Sequence, residues 1–223
     1  LNITVDRGAV DALIENGGLI RADGGQVLLT AQTAGNLLQS VVNNTGVIQA
    51  QSIENHNGTI RLLGGMQNGT VNVGGTLDAS GKGAGQKGGN VTVTGEHVGL
   101  FGGHVNASGD AGGGTVLLGG DFQGKNIDVP NAAATYMSAD SSINADAINS
   151  GNGGKVILWA DGSTKAYGSI AARGGAQSGD GGLIETSGHN LDVAGININA
   201  GAANGLRGMW LLDPADVTIG AGT

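Results

Sequence analysis

Five side chains with hydrogen-bonding or acid chemistry fall at one recurring place in the chain, the middle of an aliphatic-x-Ala triplet: Gln49, Asp78, Asn106, Asn144 and Asn199. Two further copies carry Arg21 and Ala171 there. If the triplets stack, these groups form a row of amide donors and acceptors at regular spacing. Such a row suits a repetitive polar polymer, an exopolysaccharide or a host-cell surface glycan. Stacked Asn and Asp also form hydrogen-bonded ladders that do no more than stabilise parallel strands. Catalysis fits the row poorly. Acid–base hydrolysis of a polysaccharide needs paired carboxylates, or carboxylates with Ca²⁺ and a basic residue, and the row contains Asp78 alone.

The remaining reactive residue types are dispersed. His97 and His104 are seven residues apart, with His56 and His189 on other repeats, and no pair has metal-ligand spacing. Glu185, in Leu183-Ile184-Glu185-Thr186-Ser187-Gly188, is expected to point outward from a strand. Trp159 and Trp210 end or occupy aliphatic strands, where a ring packs at the edge of a coil. Cysteine is absent, which removes disulfides, thiolate ligands and a Cys nucleophile. No nucleophile-elbow, zinc-protease, phosphate-loop or calcium-nonapeptide motif occurs. The sequence therefore reads as a non-enzyme that needs no metal or cofactor.

What must position the row is the repeat itself. The triplets end at Ala22, Ala50, Ala79, Ala107, Ala145, Ala172 and Ala200, at intervals of 28, 29, 28, 38, 27 and 28 residues. A strand that recurs at that period, with aliphatic and Ala facing one way, is visited once per turn of a coil. A second register runs beside it, in which Gly-Gly pairs precede aliphatic runs such as Gly113-Gly114-Thr115-Val116-Leu117-Leu118 and Gly153-Gly154-Lys155-Val156-Ile157-Leu158. A third, fainter set includes Val71-Asn72-Val73, His97-Val98-Gly99-Leu100 and Leu191-Asp192-Val193. Three short strands per repeat with glycine-rich corners predict an all-β parallel β-helix of about eight coils, roughly 40 Å long at about 4.8 Å per coil. The glycines are expected to supply positive φ and close backbone approach at the corners.

The ladder runs without a linker, so residues 1–223 read as a single domain. The 38-residue interval predicts one lateral insertion, at approximately 121–140 and including Pro130-Asn131-Ala132-Ala133-Ala134. Only Val10–Ile14 and Asn36–Val42 could hold a helical turn or two, the second equally well a strand. Val10–Ile14 could shield the start of the rod, and Asp213-Pro214 could break it near the finish. A net charge of −8 argues against sequence-independent nucleic-acid binding, and no apolar run is long enough to span a membrane. Leu1 starts without a leader, and a strand pattern is already visible at Ile3-Thr4-Val5, as in an excised piece of a larger protein.

Several strings exceed what a β-helix requires. Asn16-Gly17-Gly18-Leu19-Ile20-Arg21-Ala22-Asp23-Gly24-Gly25, Val41-Val42-Asn43-Asn44-Thr45-Gly46-Val47-Ile48-Gln49-Ala50, Gly153-Gly154-Lys155-Val156-Ile157-Leu158-Trp159-Ala160-Asp161 and Trp210-Leu211-Leu212-Asp213-Pro214 together resemble the filamentous haemagglutinin family over nearly the whole chain. The resemblance implies a right-handed β-helix in a large exoprotein of a Gram-negative bacterium. Such a protein leaves the cell through an outer-membrane two-partner secretion transporter and is secreted or held at the cell surface. Its members are adhesins, biofilm-matrix proteins or stalks that carry a contact-dependent toxin. The family's amino-terminal secretion domain carries Asn-Pro-Asn motifs; none occurs here, which puts this segment after that domain.

Overall fold

Ile20, Ile48, Leu77, Val105, Ile143, Ile170 and Ile198 sit side by side on neighbouring parallel strands, one from each repeat. The computed structural model describes residues 1–9, 12–33, 40–53 and 56–215, and these form a parallel β-solenoid. Its first coil is β1 (Asn2–Ala9), β2 (Ala12–Asn16) and β3 (Leu19–Arg21); its second is β4 (Gln26–Thr33), β5 (Ser40–Asn44) and β6 (Val47–Gln49). The third is β7 (Thr59–Leu63), β8 (Gly69–Val73) and β9 (Thr76–Asp78), and the fourth β10 (Asn90–Thr94), β11 (His97–Leu100) and β12 (His104–Asn106). The fifth is β13 (Thr115–Leu118), β14 (Ala134–Met137) and β15 (Ser142–Asn144). In the sixth, β16 (Lys155–Ala166) and β17 (Ser169–Ala171), and the seventh, β18 (Leu183–Asp192) and β19 (Asn197–Asn199), one long strand replaces two. β20 (Met209–Pro214) then opens an eighth level.

Three faces result. β1, β4, β7, β10, β13 and the leading halves of β16 and β18 form the first, closed by β20. β2, β5, β8, β11, β14 and the trailing halves of β16 and β18 form the second. β16 pairs with β13 through Lys155–Leu158 and with β14 through Ser163–Ala166, so these two faces fuse into one sheet there. β3, β6, β9, β12, β15, β17 and β19 make the third, a separate seven-stranded sheet.

Alternation along each short strand sends every second residue inward. Val27 and Leu29, Ile60 and Leu62, Val91 and Val93, Val116 and Leu118, and Val156 and Leu158 stack down the first face in complete burial or close to it. Each such side chain contributes about 1.5–3 kcal/mol relative to exposure, and it can do so only against the coil above or below. The alanines of the triplets from Ala22 to Ala172 are buried, and Ala200 partly so, because the chain turns inward there towards the next first-face strand. The turn is closed by a recurring bond to the alanine carbonyl: the Gly114 N–H donates to Ala107, that of Gly154 to Ala145 and that of Gly182 to Ala172, each at 2.7 Å.

The Gly-Gly pairs are explained by crowding. Among these pairs, Gly88-Gly89, Gly113-Gly114, Gly153-Gly154 and Gly181-Gly182 have no positive φ; positive φ occurs at Gly24 and at looser turns such as Gly85 and Gly195. A Cβ on Gly113 would lie 1.9 Å from the Ala145 carbonyl oxygen, and one on Gly114 2.0 Å from that of Gly89. The expectation of positive φ is thus corrected at these pairs. Glycine is needed there because consecutive coils touch backbone to backbone.

Three further expectations are corrected or narrowed. Ala12–Ile14 belongs to β2, the second strand of the first coil, so it is neither helix nor a shield over the rod's start. Val10 and Asp11 lie outside the described residues. Ser40–Val42 is strand, and Asn36–Gln39 also lie outside the described residues. Asp213 and Pro214 do not interrupt the rod, for they pair in register with Ser187 and Gly188 as the end of β20. Apart from a 3-10 turn at Phe122–Gly124, no helix occurs among the described residues, and none is long and apolar enough to cross a membrane.

The extra residues of the long interval occupy 119–133, between β13 and β14. The same connection in the fourth coil is two residues, Gly95 and Glu96. This excursion folds back over the outside of the first face, with its 3-10 turn packed on β16.

Candidate functional site

The structure lines up the row that the sequence singled out and gives most of its oxygens a local task. Asn106 accepts from the Ser108 N–H at 3.0 Å, Asn144 from Asp146 at 2.8 Å, Asn199 from Gly201 at 3.0 Å and Asp78 from Ser80 at 3.0 Å. Each is an Asx-type bond to the residue two positions on, which bends the chain out of the third face. Gln49 instead reaches sideways, donating from Nε2 to both oxygens of Asp23 at 2.9 Å. Gln51, two residues on, donates from Nε2 to one oxygen of Asp78 at 2.6 Å. One amide-to-amide bond between coils occurs at another corner, where Asn16 Nδ2 donates to the buried Asn44 at 2.7 Å.

Of the five residues, Asn144 and Asn199 share a shallow depression of about 310 Å³ floored by β15, β17 and β19, with Arg173 at its rim. The Arg173 guanidinium is held by Asp146, Nη2 to Oδ2 at 2.7 Å, and this bond raises its pKa above the ordinary value. Gln49, Asp78 and Asn106 lie on earlier coils. Asp23, like Asp78, is engaged at the corner. Burial alone would raise the Asp23 carboxyl, but donors from Gln49, Arg21 and Gln51 hold it below its ordinary value.

An acid whose carboxyl is raised rather than lowered lies on the first face. Glu185 points outward from β18, as expected, yet it is fully buried because the excursion covers it. The Gln123 N–H approaches both carboxylate oxygens, at 3.2 and 3.1 Å, from a residue held in the left-handed region at φ 54°. Leu117 and Ile157, outward on β13 and β16, are buried beneath the same roof. Asp121 anchors one end of the excursion through Lys155 Nζ at 2.7 Å, and Asn131 anchors the other through Asp161 at 2.9 Å. Burial pushes the Glu185 carboxyl above its usual range; Gln123 and Ser187 pull it down, while the charges of Asp213 and Asp121 push it further up. In Asp121 burial is outweighed by bonds from Lys155, Asn126 and the Phe122 N–H, which hold it low. A raised and a lowered carboxyl beneath a loop resemble an acid–base pair. The Gln123 N–H rests on the Glu185 carboxylate and ties the excursion to β18, so the arrangement is a clamp.

His104 and both tryptophans bond to the rod itself. His104 Nδ1 bonds the Ser142 hydroxyl at 2.8 Å, and His97 lies 3.9 Å from Glu96. Trp159 packs under Gly120 and Gly124 with its Nε1 on Asp161 at 2.9 Å, and Trp210 donates to Thr186 at 3.0 Å. No group of three or more His, Asp or Glu side chains suited to a metal ion occurs among the described residues.

A third cluster went unnoticed in the sequence. On the second face Phe101 stacks on Tyr136 with ring centroids 5.1 Å apart, and Tyr136 meets Tyr167 edge-on at 6.0 Å. Both tyrosines and one of the two phenylalanines of the chain therefore gather on one outer surface.

No protein-family profile and no curated protein matches this chain. Among solved structures it is similar to the HMW1 secretion domain from Haemophilus influenzae, at 25% identity with a TM-score of 0.67. The likeness covers 95% of this chain, which spans 64% of that structure. It is to a secretion domain, whereas the sequence reading put this chain after one.

Proposed function

We propose that the chain is an extracellular, non-catalytic β-solenoid segment of an exoprotein exported by two-partner secretion, which works in adhesion or in a biofilm matrix. The observation that carries this reading is the likeness to a secretion domain along nearly the whole rod, in a chain whose strings resemble filamentous haemagglutinins. The architecture supports it physically. Every coil is held by its neighbours, so a thread emerging from an outer-membrane transporter can lock turn upon turn without waiting for distant parts of the chain. Absence of cysteine suits passage through an oxidising periplasm. The carboxylates that carry perturbed chemistry are capped by backbone or paired with bases, which favours a scaffold over a hydrolase. Stalk and adhesin are then two uses of one rod, and the open aromatic surface on the second face favours the adhesive use.

Export is tested by fusing residues 1–223 to a reporter in a Gram-negative host, with and without a two-partner transporter, both alone and behind an established secretion domain. We expect transporter-dependent, protease-resistant protein in the medium behind the secretion domain. Release of the fusion on its own would identify the segment as part of a secretion domain instead. Retention in the periplasm in every arm would defeat the proposal. Adhesion is measured separately, by binding of cells that display the rod.

A further inference from the structure

The outward row of the second face reads Asn43, Asn72, Gly99, Tyr136, Lys165 and Asp192 on successive coils. Gly99 leaves a gap in this row, and Phe101 fills it: a Cβ on Gly99 would lie 2.2 Å from the Phe101 ring, so the ring occupies the place of a side chain there. Phe101 remains 51% exposed. Tyr167 is fixed by its hydroxyl, which donates to Asp192 at 2.8 Å, and its edge braces Tyr136. The two leading rings floor an open depression of about 270 Å³, with Asn72, His97, Ser163 and Lys165 around it.

The polar rim is available to a ligand. Among the described residues Lys165 has no carboxylate within ion-pair distance, and its charge acts on the neighbouring Asp192 only from further off. The acid next to it in the row, Asp192, is occupied: one oxygen accepts from Tyr167 and the other from the Ala194 N–H at 3.1 Å. By contrast Lys155 and Arg173 are each committed to a carboxylate within 2.7 Å. An ammonium with no ion pair of its own beside two aromatic faces, ringed by an amide, an imidazole and a hydroxyl, asks for a ligand with a flat C–H surface, several hydroxyls and one negative charge. A lipid or apolar peptide would leave the rim unused.

We propose that this depression is a binding subsite for a carboxylate-bearing saccharide. One pyranose ring lies on Phe101 and Tyr136, its carboxylate meets Lys165, and its hydroxyls meet Asn72, His97 and Ser163. The volume admits about one sugar residue, and binding of a polymer comes from repetition along it. The proposal builds on the adhesive half of the reading above and gives it a ligand class; export is untouched by it.

The test uses residues 1–223 and a panel of hexuronate and sialylated oligosaccharides, each paired with its methyl ester, which keeps shape and removes charge. For at least one acid we expect saturable binding, weakened at least tenfold in the ester. Lys165→Gln should bring the acid down to the level of its ester, leave ester binding and the melting temperature unchanged, and so separate recognition from strand stacking. Phe101→Ala should weaken acid and ester alike. Equal binding of acid and ester, or no binding of any member at millimolar concentration, would overturn the subsite. If the panel fails while cells displaying the rod still adhere, the adhesive reading survives and only this ligand class is lost.

Discussion

Glu185 has a consequence for pH dependence that a solvent-exposed glutamate would not. Its folded pKa is raised, so between the ordinary glutamate value and that raised value the folded chain binds more protons than the unfolded one. Stability conferred at this site is therefore present at low pH and declines as pH rises through the raised value. Asp121 and Asp23 act oppositely: their pKa values are lowered, so their contribution is present above the ordinary carboxylate value and is lost as pH falls through the lowered one. Glu185→Gln keeps an oxygen for the Gln123 N–H and removes the charge. Melting curves from about pH 4 to about pH 8 should show the variant losing less stability towards neutrality than the parent. An unchanged slope would mean that Glu185 is not the group responsible. Nothing in Leu183-Ile184-Glu185-Thr186 announces this role. Period-2 alternation correctly sends Glu185 outward, but only the path of a loop some 60 residues earlier decides that outward means buried, Gln123 lying 62 positions before it.

Strands and corners were far more legible than side-chain roles, because each repeats. The aliphatic-x-Ala triplets anticipate the third face strand by strand, and Gly-Gly pairs anticipate where the first face begins. The cause assigned to those glycines was not legible, since φ and backbone distance cannot be told apart from a residue type. They can be told apart by substitution. Gly114→Ala would force its Cβ against the Gly89 carbonyl and should destabilise the rod by about 1–3 kcal/mol, as overpacking does. Gly18→Ala meets nothing within 4 Å and has no positive φ, and should stay within about 0.5 kcal/mol of the parent. Denaturant titration of the two variants checks the contrast; equal effects would point away from coil-to-coil crowding. The aromatic surface was hidden for the opposite reason. Phe101, Tyr136 and Tyr167 are 35 and 31 residues apart, neither interval a repeat length, and the first contains the excursion. Replacing 119–133 by the two-residue Gly-Glu connection of the fourth coil should leave the strands intact. It should also uncover Leu117 and Ile157, which increased binding of a hydrophobic dye would report, and return Glu185 to an ordinary titration.

For the whole molecule, locality is the governing property. Removal of residues 80–107, one complete repeat from the corner after Ala79 to Ala107, should bring β7 against β13 and leave a shorter folded rod. Circular dichroism should retain its β character, and the denaturant slope should fall in proportion to the surface lost. Collapse of the entire fold would instead reveal a dependence that neighbour contacts do not supply. The clamp adds one exception to this uniformity, because it ties the fifth coil, through Gln123, over the sixth to Glu185 on the seventh. Backbone bonds between coils run along the rod, so tension applied at the chain ends would peel the solenoid like thread from a spool, each turn releasing on the order of 90 Å of slack. A pull from the carboxyl-terminal end would meet the clamped turn early and stall there until Gln123 let go. The rod would thus yield in steps of unequal resistance, with the clamp as an inbuilt brake.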